Sequence, residues 1–216
     1  MVKLFKNARD PVSSFTHMFG AVLSIIGLLF VAVHAIIVPT QAVTLVSCLL
    51  FCTSLIALYF SSGFYHFSNG KQKVINILRK LDHAMIYVLI AGTYTPVLLK
   101  IFDYPKSIIF MSVIWGIAFT GIIIKMFWIS APRWLTTLIY ILMGWAIAVD
   151  FNALASLETG AILLLFFGGM SYTVGGIMYV FKKPNFSSDF GFHETFHITC
   201  LIGSLLHYLM VYLYVL

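Results

Sequence analysis

The sequence predicts an all-α membrane protein of seven transmembrane helices, with its N-terminus in the cytoplasm and its C-terminus outside. Three observations carry this. Of 216 residues, 61% are hydrophobic and only 9% are charged, whereas a soluble domain carries about 25% charged residues. Seven continuous apolar runs approach or exceed the roughly 20 residues a bilayer core requires. Their continuity, without alternation, excludes a β-barrel. Finally, eleven Lys and Arg fall at the N-terminus and in the second, fourth and sixth links, against two, Lys100 and Lys106, on the other side. That bias sets the orientation by the positive-inside rule. One seven-helix domain, residues 1–216, accounts for the whole sequence.

The first span, about Phe15–Val38, follows Lys3, Lys6 and Arg9 and imitates a signal peptide. It is longer than a signal's apolar core and ends in no small-x-small cleavage site, which makes it a retained helix. Pro39-Thr40-Gln41 separates it from the second span, Ala42–His66, and Ser68-Asn69-Gly70 precedes the third, Leu81–Leu99. Asp103-Tyr104-Pro105 introduces the fourth, Ser107–Trp128, and Ala131-Pro132-Arg133 the fifth, Trp134–Asn152. These links are rich in the residues that punctuate helices. The sixth span, Gly160–Phe181, carries the pairs Gly168-Gly169 and Gly175-Gly176, which permit close helix contact within or between chains. The seventh, Phe190–Leu216, follows Pro184-Asn185. Cys48, Cys52 and Cys200 all lie inside apolar runs, the setting of packed thiols and not of a disulfide framework. The net charge of +6 is scattered through the links and is no signal of nucleic-acid binding.

This topology brings distant polar residues to one depth. His66 ends the second span, Asp82 and His83 begin the third, and His193 and His197 begin the seventh, all on the cytoplasmic side. His193 to His197 reads H-E-T-F-H, a literal match to the H-E-x-x-H zinc signature. At this spacing two imidazoles share a helix face, with Cβ atoms about 5–6 Å apart, and can reach one zinc ion at about 2.0–2.1 Å. His66 is the best third ligand by depth. Three neutral histidines leave an open position, where bound water can drop to a pKa near 7. Asp82 is the natural general base or orienting group for such a water; an interfacial pair with Arg79 or Lys80 is its structural alternative. Ser62 shares a helix face with His66 and could line the site, or bond back to its own helix. His17, His34 and His83 read as structural hydrogen-bonders. His207, roughly 21 Å along the axis from His193 at 1.5 Å per residue, cannot join the metal and could line a cavity or bond a neighbouring helix.

These residues resemble the hemolysin III family, the bacterial branch of the progestin and adiponectin receptor superfamily. The matching segments are T-H-M-F-G at Thr16–Gly20, S-S-G-F-Y-H at Ser61–His66, and L-D-H-A-M-I-Y-V-L-I-A-G-T-Y-T-P at Leu81–Pro96. G-G-M-S-Y-T-V-G-G-I-M-Y at Gly168–Tyr179 and F-H-E-T-F-H with the later L-L-H-Y complete the set in family order. The resemblance implies a zinc site near the cytoplasmic face with His66, His193 and His197 as ligands. It also implies that Ser62 is the site's serine and that Asp82 lies beside the metal's water. At Asp10–Ser14 the sequence departs from relatives that often carry glutamates there, and no role is carried over to that stretch.

Three functions are expected in turn. The first is a zinc-dependent hydrolase of a lipid amide or ester, with a membrane lipid as substrate, in the bacterial cytoplasmic membrane. The second is a cytolysin or receptor-like homeostasis protein with structural zinc and a lipid as ligand. The third, an intramembrane metalloprotease, would need Glu194 as base and would leave His66 idle; in the first two readings Glu194 is incidental.

Overall fold

The computed structural model describes residues 3–187 and 190–216, and every regular element among them is helical. In chain order these are α1 (Pro11–Ile37), α2 (Ala42–Phe67), α3 (Gln72–Ile101), α4 (Lys106–Phe127), α5 (Arg133–Gly144), α6 (Phe151–Ala155), α7 (Thr159–Phe181) and α8 (Phe192–Tyr214). Short 3-10 turns cover Lys3–Asn7 and Ala146–Val149. Six of the helices, α1 to α4, α7 and α8, are long and apolar enough to cross a membrane.

The bundle is apolar outside and small or polar inside. On α1 the buried face is Ser13, Ser14, His17, Gly20, Ala21, Ser24, Gly27 and Val31, while Val22, Ile25, Leu29, Phe30 and Val33 stand exposed. A helix in water does the reverse. Small residues let membrane helices approach while the large apolar ones face lipid, so this is a multi-pass membrane protein.

Two predicted spans differ in form. α3 begins at Gln72, nine residues before the apolar run. Its first turns alternate charge with Val74, Ile75, Ile77 and Leu78, a pattern that keeps the helix going beyond the bilayer. The fifth span is broken: α5 stops at Gly144, a 3-10 turn follows, and α6 is five residues long. The Tyr94 hydroxyl causes the break by donating to Gly144 O at 2.9 Å while accepting from Ile147 N at 3.0 Å. A side chain inserted into the helical ladder is a regular source of such kinks. Asp150 then caps α6, accepting from Ala153 N at 3.0 Å.

Contacts between elements define two ends of the bundle. At one end Asp10 N donates to His66 O at 3.0 Å, and Lys80 Nζ donates to Met126 O. There too the Arg133 guanidinium lies 5.1 Å from the Tyr179 ring and 5.9 Å from that of Phe192. At the other end Lys106 pairs with Asp150, and Gly160 abuts the Tyr214 hydroxyl. The α7 glycines work within the chain. Gly168 and Gly175 admit His207 and Thr199 of α8, and Gly176 admits Thr137 of α5.

Candidate metal centre

Helix α2 ends, and α8 begins, at the end of the bundle where α1 starts. The metal-ligating atoms of His66, His193 and His197 lie there within 4.8 Å of one another. His66 and His197 are buried and His193 is half-buried. The Nε2 atoms of His66 and His193 are 3.2 Å apart. Two nitrogens on one tetrahedral zinc, each at about 2.0–2.1 Å, are separated by about 3.3 Å. The pair is thus already spaced as one edge of a zinc tetrahedron, and the all-nitrogen donor set suits that ion.

The outward nitrogens are held by α1 and the residue that precedes it. His66 Nδ1 is 2.8 Å from Asp10 Oδ2. A carboxylate accepts only, so Nδ1 carries the proton and Nε2 keeps its lone pair for the shared centre. This hydrogen bond holds the Asp10 carboxyl below its ordinary pKa. His197 Nδ1 donates to Ser13 O at 3.3 Å, which likewise turns its Nε2 inward. Ser13 is fixed in turn, its hydroxyl donating to Glu194 Oε1 at 2.8 Å. Glu194 Oε2 accepts from Gly191 N at 2.9 Å and caps α8.

Asp82 and Ser62 line the same cavity as His17, His193 and His197. The cavity measures about 180 Å³ and extends past Ile86, Ile90 and Trp145 to His207. Among the described residues Asp82 forms no ion pair with Arg79 or Lys80; the pairs present are Arg9–Asp10, His66–Asp10 and Lys106–Asp150. Its expected structural alternative is therefore absent. Ser61 bonds back to Leu58 O at 3.0 Å, whereas Ser62 makes no such bond among the described residues and is buried against the cavity. Arg79, Lys125 and Arg133 line the wall too, and the buried Lys125 ammonium donates to Thr136 Oγ1 at 2.9 Å.

The remaining histidines divide. His207 does both things expected of it, lining the cavity and bonding Leu165 O at 3.2 Å. His34 packs edge-on against Tyr212, and the His83 ring lines the cavity. His17 departs from its reading as a structural hydrogen-bonder. Its ring stacks on His197 with centroids 3.5 Å apart, and both of its buried nitrogens lack a partner among the described residues. Sequence reasoning also missed Asp10, Ser13 and the work of Glu194. The depth argument that gathered His66, Asp82 and His193 applies equally to the start of the first helix, and that was the available signal. Cys48, Cys52 and Cys200 are buried and free, as expected.

Comparison with known proteins agrees with the architecture. Residues 5–208 match the family described as Haemolysin-III related. The chain is 35% identical over 212 residues to the Hemolysin-3 homolog of Bacillus subtilis (strain 168), covering 98% of this chain and 96% of that one. It is 37% identical over 218 residues to Hemolysin-3 of Bacillus cereus, covering 100% and 96%. A more distant similarity, 23% over 227 residues, links it to the Adiponectin receptor protein of Drosophila melanogaster, covering 95% of this chain and 50% of the receptor. With the family match running from the residues before α1 well into α8, the chain belongs to the haemolysin-III related family.

Proposed function

We propose that this protein crosses the bacterial cytoplasmic membrane seven times, binds zinc through His66, His193 and His197 near the cytoplasmic face, and hydrolyses an amide or ester bond of a membrane lipid. The observation that carries this reading is the cluster of three imidazoles within 4.8 Å of one another, two of which, His193 and His197, line the cavity that Asp82 and Ser62 also line. Intramembrane ionisable groups are costly to keep without a function. The seventh crossing is supplied by α5, the 3-10 turn and α6 together. It is supported by Arg133 meeting Tyr179 and Phe192 at one end and Asp150 meeting Lys106 at the other.

Zinc on such a site supplies a water of lowered pKa and polarises a carbonyl. The protein's own residues do the rest. Asp82, which forms no ion pair among the described residues, takes the proton and returns it to the leaving group. The Ser62 hydroxyl, which bonds no carbonyl of its own helix among the described residues and belongs to a residue lining the cavity, donates a hydrogen bond to the substrate carbonyl. Ile86, Ile90 and Trp145 accommodate the acyl chain and exclude water.

A second reading, a cytolysin or receptor-like protein with structural zinc, draws on the names of the relatives. The family it belongs to and the lipid-facing exterior suit either. A protease is disfavoured because both oxygens of Glu194 already accept hydrogen bonds and His66 would have no task.

Metal analysis of the purified protein tests the site. Near-stoichiometric zinc is expected in the wild type, a strong loss in His66→Ala and His197→Ala, and retention in Asp82→Ala. Unchanged zinc in both histidine variants would sink the proposal. Incubation with amide and ester lipids and with membrane peptides then tests the chemistry. Lipid turnover should fall at least 100-fold in Asp82→Ala, in line with loss of a general base. Zinc without turnover of any substrate selects the second reading, and peptide turnover lost only in Glu194→Gln selects the protease.

A further inference from the structure

We propose that Asp10 is a positioning residue of the metal centre, whose carboxylate fixes the tautomer and the aim of His66; the inference rests on the zinc reading above. Histidines that ligate metals regularly donate their second ring nitrogen to a carboxylate or carbonyl, and loss of that partner typically weakens metal binding 10- to 100-fold.

Four observations single out Asp10. Its carboxylate meets His66 Nδ1 at 2.8 Å. Its own backbone N–H donates to His66 O at 3.0 Å, so the two residues are tied at both backbone and side chain. Arg9 Nε, 3.1 Å from Asp10 Oδ2, steadies the carboxylate while the guanidinium rests 4.2 Å from the Tyr65 ring centroid. Finally, Asp10 is the N-cap residue of α1, yet its side chain makes no capping hydrogen bond. An aspartate there ordinarily accepts from the first-turn amides. Here the carboxylate turns away from its own helix and takes the histidine instead.

The geometry is that of an outer layer supplied by the start of the first helix. Ser13 O treats His197 Nδ1 as Asp10 treats His66, at 3.3 Å. The two bonds differ in charge, and that sets the expected order of effect. A carboxylate raises the basicity of the imidazole it holds as well as orienting it, whereas a carbonyl chiefly orients. Asp10 thus makes His66 a stronger donor than His197.

The missing cap bond makes the test cleaner, because removing the side chain breaks no hydrogen bond to α1 among the described residues and takes only the modest attraction of a carboxylate for a helix N-terminus. Full-length protein in detergent is stripped of metal, and zinc affinity is measured by competition with a chelating dye for wild type, Asp10→Ala, Asp10→Asn and Arg9→Ala. Metal-free melting temperatures are recorded alongside. Asp10→Ala should bind zinc 10- to 100-fold more weakly. Asp10→Asn, which keeps an oxygen acceptor without the charge, should lie between it and the wild type. Arg9→Ala should change affinity less than either. With cobalt in place of zinc, the visible absorption bands should shift in Asp10→Ala, since the field at the ligand changes.

Zinc affinity and cobalt bands equal to wild type in both Asp10 variants overturn the inference. A lower metal-free melting temperature with unchanged affinity also overturns it, by making Asp10 structural. If the wild type itself binds no zinc, the zinc reading falls and takes this inference with it, a result distinguishable from the other two.

Discussion

Both carboxylate oxygens of Glu194 accept hydrogen bonds, one from Ser13 and one from Gly191 N, so the acid that completes H-E-T-F-H serves as a helix cap. Replacing it with alanine should cost about 1–2 kcal/mol, the usual loss on removing a cap, read as a lower melting temperature in detergent. Glu194→Gln keeps one acceptor and should retain zinc and any lipid turnover. The three-histidine cluster was legible in the sequence, because two histidines four apart on a helix and a third at the same depth leave few alternatives. Asp10 was not, since it lies just outside the apolar run and an aspartate before a helix has an ordinary capping explanation. His17 was misread for a different reason. Whether a buried imidazole finds a partner depends on the neighbouring helix, and here the neighbour offers the flat face of His197 at 3.5 Å.

Helices α5 and α6 owe their separation to one hydroxyl on α3. Tyr94 satisfies Gly144 O and Ile147 N together, groups that an unbroken helix would pair internally or leave orphaned. Tyr94→Phe removes both bonds at once and should lower stability by about 1–3 kcal/mol, the penalty for a buried polar group left unpaired. A hydropathy pattern cannot reveal such a break, because residues 144–149 remain apolar whether or not the ladder is intact. The glycine pairs on the sixth span were legible as contact points, though not which faces they served. Gly175 meets Thr199 on α8 and Gly176 meets Thr137 on α5, so adjacent glycines serve adjacent helices. A Cβ at Gly175 would overlap the Thr199 hydroxyl. Gly175→Val should therefore destabilise by about 1–3 kcal/mol through overpacking. Gly116→Ala, where nothing lies within 4 Å of the added carbon, should be tolerated; unfolding both variants under the same conditions checks the contrast.

At the scale of the molecule, the number of crossings decides whether the site and the chain ends have the orientation that the charges dictate. Asp10, His66 and His193 meet at one end, so α1 and α8 both start there, and α8 runs to the opposite end. The proposed seven crossings are an odd number, and the six long helices alone give an even one. In that proposal the composite of α5, the 3-10 turn and α6 makes the difference. Residues 133–155 suffice in number for a bilayer core of about 30 Å at 1.5 Å per helical residue. On the proposed topology the histidine end is cytoplasmic, the side that carries eleven Lys and Arg against two, as the positive-inside rule expects. Impermeant thiol labelling in intact cells tests both points at once. The three native cysteines are buried and are replaced by serine or alanine. Gln41→Cys and Ser156→Cys should then label from outside, while Lys71→Cys and Lys183→Cys should label only after lysis. Ser156 is the decisive position. If the composite were a re-entrant loop, it would return to the cytoplasmic side and Ser156→Cys would be protected in intact cells. α7 would then have to run in the opposite direction, parting Tyr179 from His193, whose rings now lie 5.8 Å apart. Labelling of Ser156→Cys from outside, with Lys183→Cys protected, is the outcome that keeps the histidine cluster assembled.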